Sequence, residues 1–317
     1  MDPRLQALIS GQQGLVTRQQ ALAAGLSAKA VRWRVESGRW VRLHPGVYLT
    51  TPGRNDWHTI AAALLLHLGV PSALSSRSAA YLWGLVPSPG PLLHCVVPTS
   101  RRPDPVEGVV ITRARHALER THETAWPHRI TVEHTVFDLA VGHPVDTAVG
   151  LIALACQKRL STPRNLRVAL DSRPTQPSRR VLYEVIGDVA GGVESSAERR
   201  YVRDVEQAHG LPAGRRQEPG PRETRRDNAY DEVKVVVEID GRAGHAGWRA
   251  QQRDGHRDRR SAAESWLTVR GYWSDVHDTP CSFARELEAI FRSRGWRGRG
   301  RRCRRPGCDV GGTGVEG

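Results

Sequence analysis

Lysine is nearly absent from this 317-residue chain: Lys29, Lys158 and Lys234 are the only ones among 47 Lys and Arg. The other 44 cations are arginines, whose rigid planar fork suits phosphates and base edges. Cysteine is also scarce. The five present, Cys95, Cys156, Cys281, Cys303 and Cys308, are odd in number and widely spaced, which excludes a disulfide scaffold and fits a reducing compartment. Cys303 and Cys308 make half a metal site, and along the sequence no second cysteine pair or nearby histidine completes it. Long apolar runs are missing. The longest, Ile60 to Leu66, is far too short to span a bilayer, and Met1-Asp2-Pro3-Arg4 begins no apolar signal core. These absences lead to the expectation of a soluble cytoplasmic protein with no membrane partner. There is no internal repeat.

Positive charge dominates what remains. A formal net charge of +14 points to a polyanionic partner, nucleic acid and in the first place DNA. A coding bias toward arginine is the alternative origin of the excess. The charge is uneven: Arg292 to Arg305 holds eight arginines and no acid. Setting those aside, with the two acids that follow them, Asp309 and Glu316, leaves +8 on residues 1–291. The body is therefore basic without its tail.

The pattern divides the chain into three blocks and a tail, for a mixed fold, α/β in its parts and α+β overall. Residues 1–52 read as three helices and a hairpin. Thr17 caps a helix that Gly25 stops, and Ser27 caps the next, Ala28 to Ser37, which ends at Gly38. Trp40 to Leu49 alternates as a β-hairpin with Pro45-Gly46 at its turn. Residues 56–185 read as a mixed α/β connector. Within it, helices are expected over Trp57–Leu68, Ser76–Leu85, Thr135–Val141 and Val145–Leu160, and strands over Leu92–Pro98 and Val109–Arg113. Asp171–Arg180 reads as a linker. Residues 186–296 alternate helix and strand, with a helix over Trp248–Glu264, and 297–317 read as a disordered Arg/Gly-rich tail.

Two short helices joined at a glycine and followed by a hairpin describe a winged helix-turn-helix, whose second helix enters the major groove. On Ala28–Ser37, Val31 and Val35 face inward, while Lys29, Arg32, Trp33 and Glu36 share another face. Arg39 and Arg42 carry that face toward the wing. These five residues, Lys29, Arg32, Trp33, Arg39 and Arg42, are the candidate DNA contacts. A small helical domain with a solvated basic face is the plainer alternative. The stretch from Gly14-Leu15-Val16-Thr17-Arg18 through Gly38–Tyr48 (GRWVRLHPGVY) resembles the N-terminal winged-helix domain of AbiEi-type antitoxins. Ser76–Leu85 and His134–Ala140 resemble what commonly follows that domain. The resemblance implies a repressor of its own promoter in a type IV toxin–antitoxin system, with a cognate toxin as partner.

The third block carries acids where a strand is otherwise apolar. In Val233–Asp240, VKVVVEID, period two sets Val235, Val237 and Ile239 on one face and Val236, Glu238 and Asp240 on the other. Carboxylates on a central strand are costly to bury unless a cation neutralises them. A turn centred near Asp231-Glu232 puts Asp227 roughly opposite Glu238. Converging carboxylates suit a hard divalent ion such as Mg²⁺, which lowers the pKa of a bound water and stabilises charge on a phosphate. Glu198 either joins them as a ligand or closes a capping box with Ser195. His245 is a candidate general acid or base. Asp254, Arg257 and Asp258 on one helix face, with Arg270 on the next strand, either brace the site or form a surface network.

Ser195–Glu198, Gly210–Pro212, Asp227, Val237–Gly241, His245, Arg257-Asp258 and Val269–Val276 together resemble the uncharacterised domain related to very-short-patch-repair (Vsr) endonucleases, of the PD-(D/E)XK, restriction-endonuclease-like fold. That resemblance matches Asp227 to the first acidic position and Glu238 to the second, while Asp240 stands where much of the wider fold has lysine. Two functions follow: a Mg²⁺-dependent endonuclease, or a non-catalytic regulator or antitoxin with a degenerate nuclease fold.

Overall fold

The computed structural model describes residues 2–54, 56–190, 193–219, 225–240 and 265–311, with backbone alone for 193–196, 217–219, 225–227 and 240. The chain divides into two compact units, Met1–Leu139 and Ala140–Gly317. Helices and small sheets mix in both, so the fold is α+β. Among the described residues no helix is long and apolar enough to cross a membrane.

The first unit opens with α1 (Pro3–Gly11), β1 (Leu15–Thr17), α2 (Arg18–Ala23), α3 (Ala28–Glu36) and the hairpin β2 (Val41–His44) and β3 (Val47–Leu49). Local chemistry sets these boundaries. Thr17 Oγ1 accepts from Gln20 N at 3.1 Å, and the Gln20 side chain accepts from Thr17 N at 2.8 Å, a complete capping box at the start of α2. Ser27 Oγ accepts from Ala30 N at 3.1 Å and starts α3. Gly25, at φ +87°, turns the chain between the two helices in a conformation that other residues adopt at a cost. The sheet runs β1-β3-β2, with Leu15 opposite Leu49 and Arg42 opposite Tyr48. Leu5, Ile9, Val16, Ala21, Val31, Trp40 and Tyr48 form the core beneath. The helices and hairpin lie where the sequence places them, and β1, only three residues long, adds a third strand.

α4 (Trp57–Leu68) is apolar all round and is accordingly buried on two sides. Its Ala62 and Ala63 pack on Leu15, Val47 and Leu49 of the winged-helix sheet. Ala61, Leu64, Leu65 and Leu68 pack on a second sheet of β4 (Ala73–Leu74), β5 (Leu93–Pro98) and β6 (Val109–Ala114). β5 and β6 are parallel, with Leu93 opposite Val109. α5 (Ser76–Leu82) and α6 (Val132–Ala140) complete the unit.

The second unit holds α7 (Val145–Gln157), α8 (Pro163–Asp171), α9 (Arg179–Ala190) and α10 (Val193–Arg200), the last continuing as a π-helical segment, Tyr201–Gln207. A four-stranded sheet follows, in order β10-β9-β8-β7: β7 (Arg215–Pro219), β8 (Arg225–Tyr230), β9 (Val235–Asp240) and β10 (Leu267–Tyr272). β7, β8 and β9 form an antiparallel meander, and β10 lies parallel to β9. α11 (Trp273–His277) and α12 (Pro280–Ser293) close the unit. Three elements here go beyond the sequence reading. Pro163 starts α8, because the first helical position needs no N–H, and Thr162 Oγ1 accepts from Asn165 N at 3.2 Å. α9 begins at Arg179, inside the segment read as a linker, and α8 runs on to Asp171, so the connection is shorter than Asp171–Arg180. β7 is a charged edge strand without alternation, set by its pairing to β8.

Residues 297–311, read from composition as disordered, fold back onto the unit. Gly300 N donates to Glu288 Oε1 at 2.8 Å, Arg301 N donates to the His209 carbonyl at 2.8 Å, and Val310 is buried. The expected helix Trp248–Glu264 lies outside the described residues.

A polar network fixes the helix before the sheet to the strands. Glu206 is 3% exposed; it is paired with Arg216 and accepts from Tyr230 Oη at 2.6 Å and Gly214 N at 3.1 Å. Tyr201 Oη lies 2.6 Å from Tyr230 Oη, and Arg216 also donates to Asn228 Oδ1 at 2.5 Å. Burial raises the pKa of both phenols, which therefore stay protonated and able to donate. Replacing Glu206 by Ala leaves Tyr230 Oη and Gly214 N without their acceptor, while Arg216 still reaches solvent, and is expected to cost about 2 kcal/mol. Urea unfolding checks this, and Glu206→Gln should cost less, since it keeps the acceptor for Tyr230.

Asp56 caps α4. Its carboxylate accepts from Thr59 N at 3.0 Å, Thr59 Oγ1 at 2.8 Å and Arg54 Nε at 3.1 Å. Burial works to raise its pKa, but these hydrogen bonds bring it down to about 2. The depressed value means that the cap stabilises fully above the ordinary carboxylate range and fades as pH falls toward about 2. Asp56→Ala is expected to lower stability by about 1 kcal/mol at neutral pH. The difference from the unsubstituted chain should shrink in melts taken below pH ~3, where the carboxyl takes up its proton.

Candidate functional site

α3 buries a narrow stripe. Val31 is buried and Val35 packs partly against the same core, which leaves the rest of the helix to solvent. Lys29, Arg32, Glu36, Arg39 and Arg42 are exposed, and Trp33 is 49% exposed, unusual for so large an apolar ring. The Arg39 guanidinium stacks over the Trp33 ring at 4.7 Å, so ring and cation occupy one surface. Arg34, by contrast, turns toward Trp40, at 5.5 Å from its ring, and donates to the Ala30 carbonyl at 3.0 Å. Lys29, Arg32, Arg39 and Arg42 have no acidic partner among the described residues. Arg42 sits on β2 opposite Tyr48, beside the Pro45-Gly46 turn, where Gly46 takes φ +75°. Such a face presents four cations against the single acid Glu36, together with a stacking surface, chemistry suited to phosphate and base edges.

In the second unit, β9 is a central strand with Val235, Val236, Val237 and Ile239 all buried. Tyr230 pairs with Val235, Ala229 with Val236 and Asn228 with Val237. Carried one residue on, that register sets Asp227 across from Glu238 at the backbone level. On the other side Arg270 of β10 lies opposite Glu238, with Nε 3.9 Å from Oε2, and Asp240 pairs with Tyr272. Glu238 is half-buried, so its charge is partly balanced by this guanidinium. Glu198 is half-buried on α10, which packs against β9. Ser195 falls inside α10, not at its N-terminal cap, so the capping-box alternative for Glu198 does not hold. His245, Asp254, Arg257 and Asp258 lie outside the described residues.

The sequence reading missed one grouping. Cys303 and Cys308, half a site along the chain, are joined in space by Cys281 and His209. Only the Cys303–Cys308 spacing signals it, since the other two members come from distant elements.

No curated protein matches the chain. Residues 3–51, which run from α1 to the end of the wing, match the family described as transcriptional regulator, AbiEi antitoxin.

Proposed function

We propose that the protein is a DNA-binding transcriptional regulator of the antitoxin type, docking on duplex DNA through α3 and the β2–β3 wing. The observation that carries this reading is the exposed face of Lys29, Arg32, Trp33, Arg39 and Arg42, within the segment similar to AbiEi antitoxins. α3 lies in the major groove, Lys29 and Arg32 meet phosphate and base edges, and Arg42 meets the flanking backbone. A cognate toxin protein is the partner that an antitoxin implies.

A second reading concerns the carboxylate strands, expected as a Vsr-related, PD-(D/E)XK-like domain. It is favoured by the β8–β9 register that sets Asp227 across from Glu238. Asp227, Glu238 and either Glu198 or Asp240 would hold Mg²⁺, which would supply an activated water and charge stabilisation for phosphodiester hydrolysis. His245 would then move a proton. Glu238 already has a counter-charge in Arg270, and this is why the regulator reading comes first.

Replacing Lys29, Arg32 and Arg42 together by Ala is expected to flatten the slope of log K against log salt for duplex binding by about three units, with affinity falling most at low salt. Unchanged affinity and slope in anisotropy titrations would remove α3 as the reader. Glu238→Gln separates the second reading. It should leave duplex binding intact and abolish any Mg²⁺-dependent nicking of supercoiled plasmid, whereas the regulator reading expects no nicking from the unsubstituted protein.

A further inference from the structure

Four soft ligands converge in the second unit where the C-terminal segment folds back. His209, fully buried, ends the helical stretch that includes the π-helical segment. Its Nδ1 lies 2.9 Å from the Val205 carbonyl oxygen. A carbonyl only accepts, so Nδ1 carries the proton and Nε2 holds a free lone pair. That Nε2 is buried with no hydrogen-bond partner among the described residues, an expensive state unless something else coordinates it. Cys281 stands in the first turn of α12, and Cys303 and Cys308 stand on the returning segment. One ligand atom from each of the four lies within 4.8 Å of all the others, and Cys281 Sγ is 3.5 Å from Cys303 Sγ. A tetrahedral zinc with Zn–S bonds of ~2.3 Å sets its sulfurs about 3.8 Å apart. The cluster is therefore at coordination spacing.

We propose that His209, Cys281, Cys303 and Cys308 form a structural Cys₃His zinc site. The surroundings are those of a metal knuckle. Cys303 N donates to Cys308 Sγ at 3.4 Å, and Arg305 N donates to Cys303 Sγ at 3.4 Å, so backbone N–H groups already point at the sulfurs. Gly307, at φ +76°, provides the turn between the two cysteines. The Val205 carbonyl orients the imidazole as outer partners of ligating histidines commonly do. Three thiolates and a neutral imidazole around Zn²⁺ leave one net negative charge, and exposed Arg301, Arg302, Arg304 and Arg305 surround it in the chain. Thiolate and imidazole select zinc over Mg²⁺, so this site is chemically distinct from the carboxylates of β8 and β9. Four complete ligands leave no open position, which makes the role structural: the ion clips residues 300–311 to His209 and α12. The inference is independent of the DNA-binding proposal.

The test is metal analysis of the full chain purified under reducing conditions. One zinc per chain is expected, with zinc lost from Cys303→Ser and from His209→Gln. If the variants aggregate, the unsubstituted protein still decides. After zinc removal by a chelator, Co²⁺ should bind at one equivalent with the visible bands and thiolate charge-transfer absorption of a tetrahedral sulfur-rich site, and Zn²⁺ should displace it. Three results would overturn the proposal: no stoichiometric binding of Zn²⁺ or Co²⁺ by the reduced protein, a Cys281–Cys303 disulfide in the chain freshly isolated from cells, or acid-labile sulfide indicating an iron–sulfur cluster.

Discussion

The burial of Val31 with Trp40 and Tyr48 holds the first unit's exposed basic face in place. It fixes α3 against the hairpin by one apolar stripe and leaves the remaining helix surface free to carry charge. A helix anchored more broadly would have to bury Arg32 or Trp33, and one anchored less would not hold Arg42 of the wing in a fixed relation to it. The same stripe explains the composition of α3. Val31 and Val35 are its inward-facing residues, while arginine, lysine and tryptophan take the outer positions. The caps by Thr17 and Ser27 with the Gly25 turn then set the angle between α2 and α3.

The second unit is organised around a different constraint, the burial of polar groups. β9 is covered so fully that each polar group beside it needs a partner. Glu206, Arg216, Tyr201, Tyr230 and Asn228 satisfy one another, and Asn228 Nδ2 donates to the Val237 carbonyl at 3.1 Å. Glu238 is met by Arg270. A zinc ion at His209 and the three cysteines would answer the one buried imidazole nitrogen left without a partner among the described residues. One rule thus accounts for the network, the ion pair and the proposed metal knuckle.

Features with local causes were legible in the sequence. Thr17, Ser27, Gly25 and Pro45-Gly46 act within a few residues, and they delimit the helices and wing as read. The turn read near Asp231-Glu232 runs over Asp231–Lys234, so β9 begins at Val235 and not at Val233, and the pairing of Tyr230 with Val235 follows from that longer turn. Features with distant causes were not legible. β1 and β7 exist through their partners and not through their own alternation. α8, for which the sequence reading has no element, is started by Pro163 and capped by Thr162. The Arg/Gly tail has a disordered composition, yet Gly300 bonds to Glu288, Arg301 bonds to the His209 carbonyl, and Val310 is buried. The Cys₃His grouping escaped for the same reason: its histidine and first cysteine come from a helix end and a later helix.

Hydrogen exchange of the full chain, free and bound to duplex DNA, tests the central claim most directly. The account predicts that protection on binding concentrates in residues 28–49, over α3 and the wing, and weakens as salt is raised. Protection confined to the second unit, with α3 exchanging as in the free protein, would contradict it.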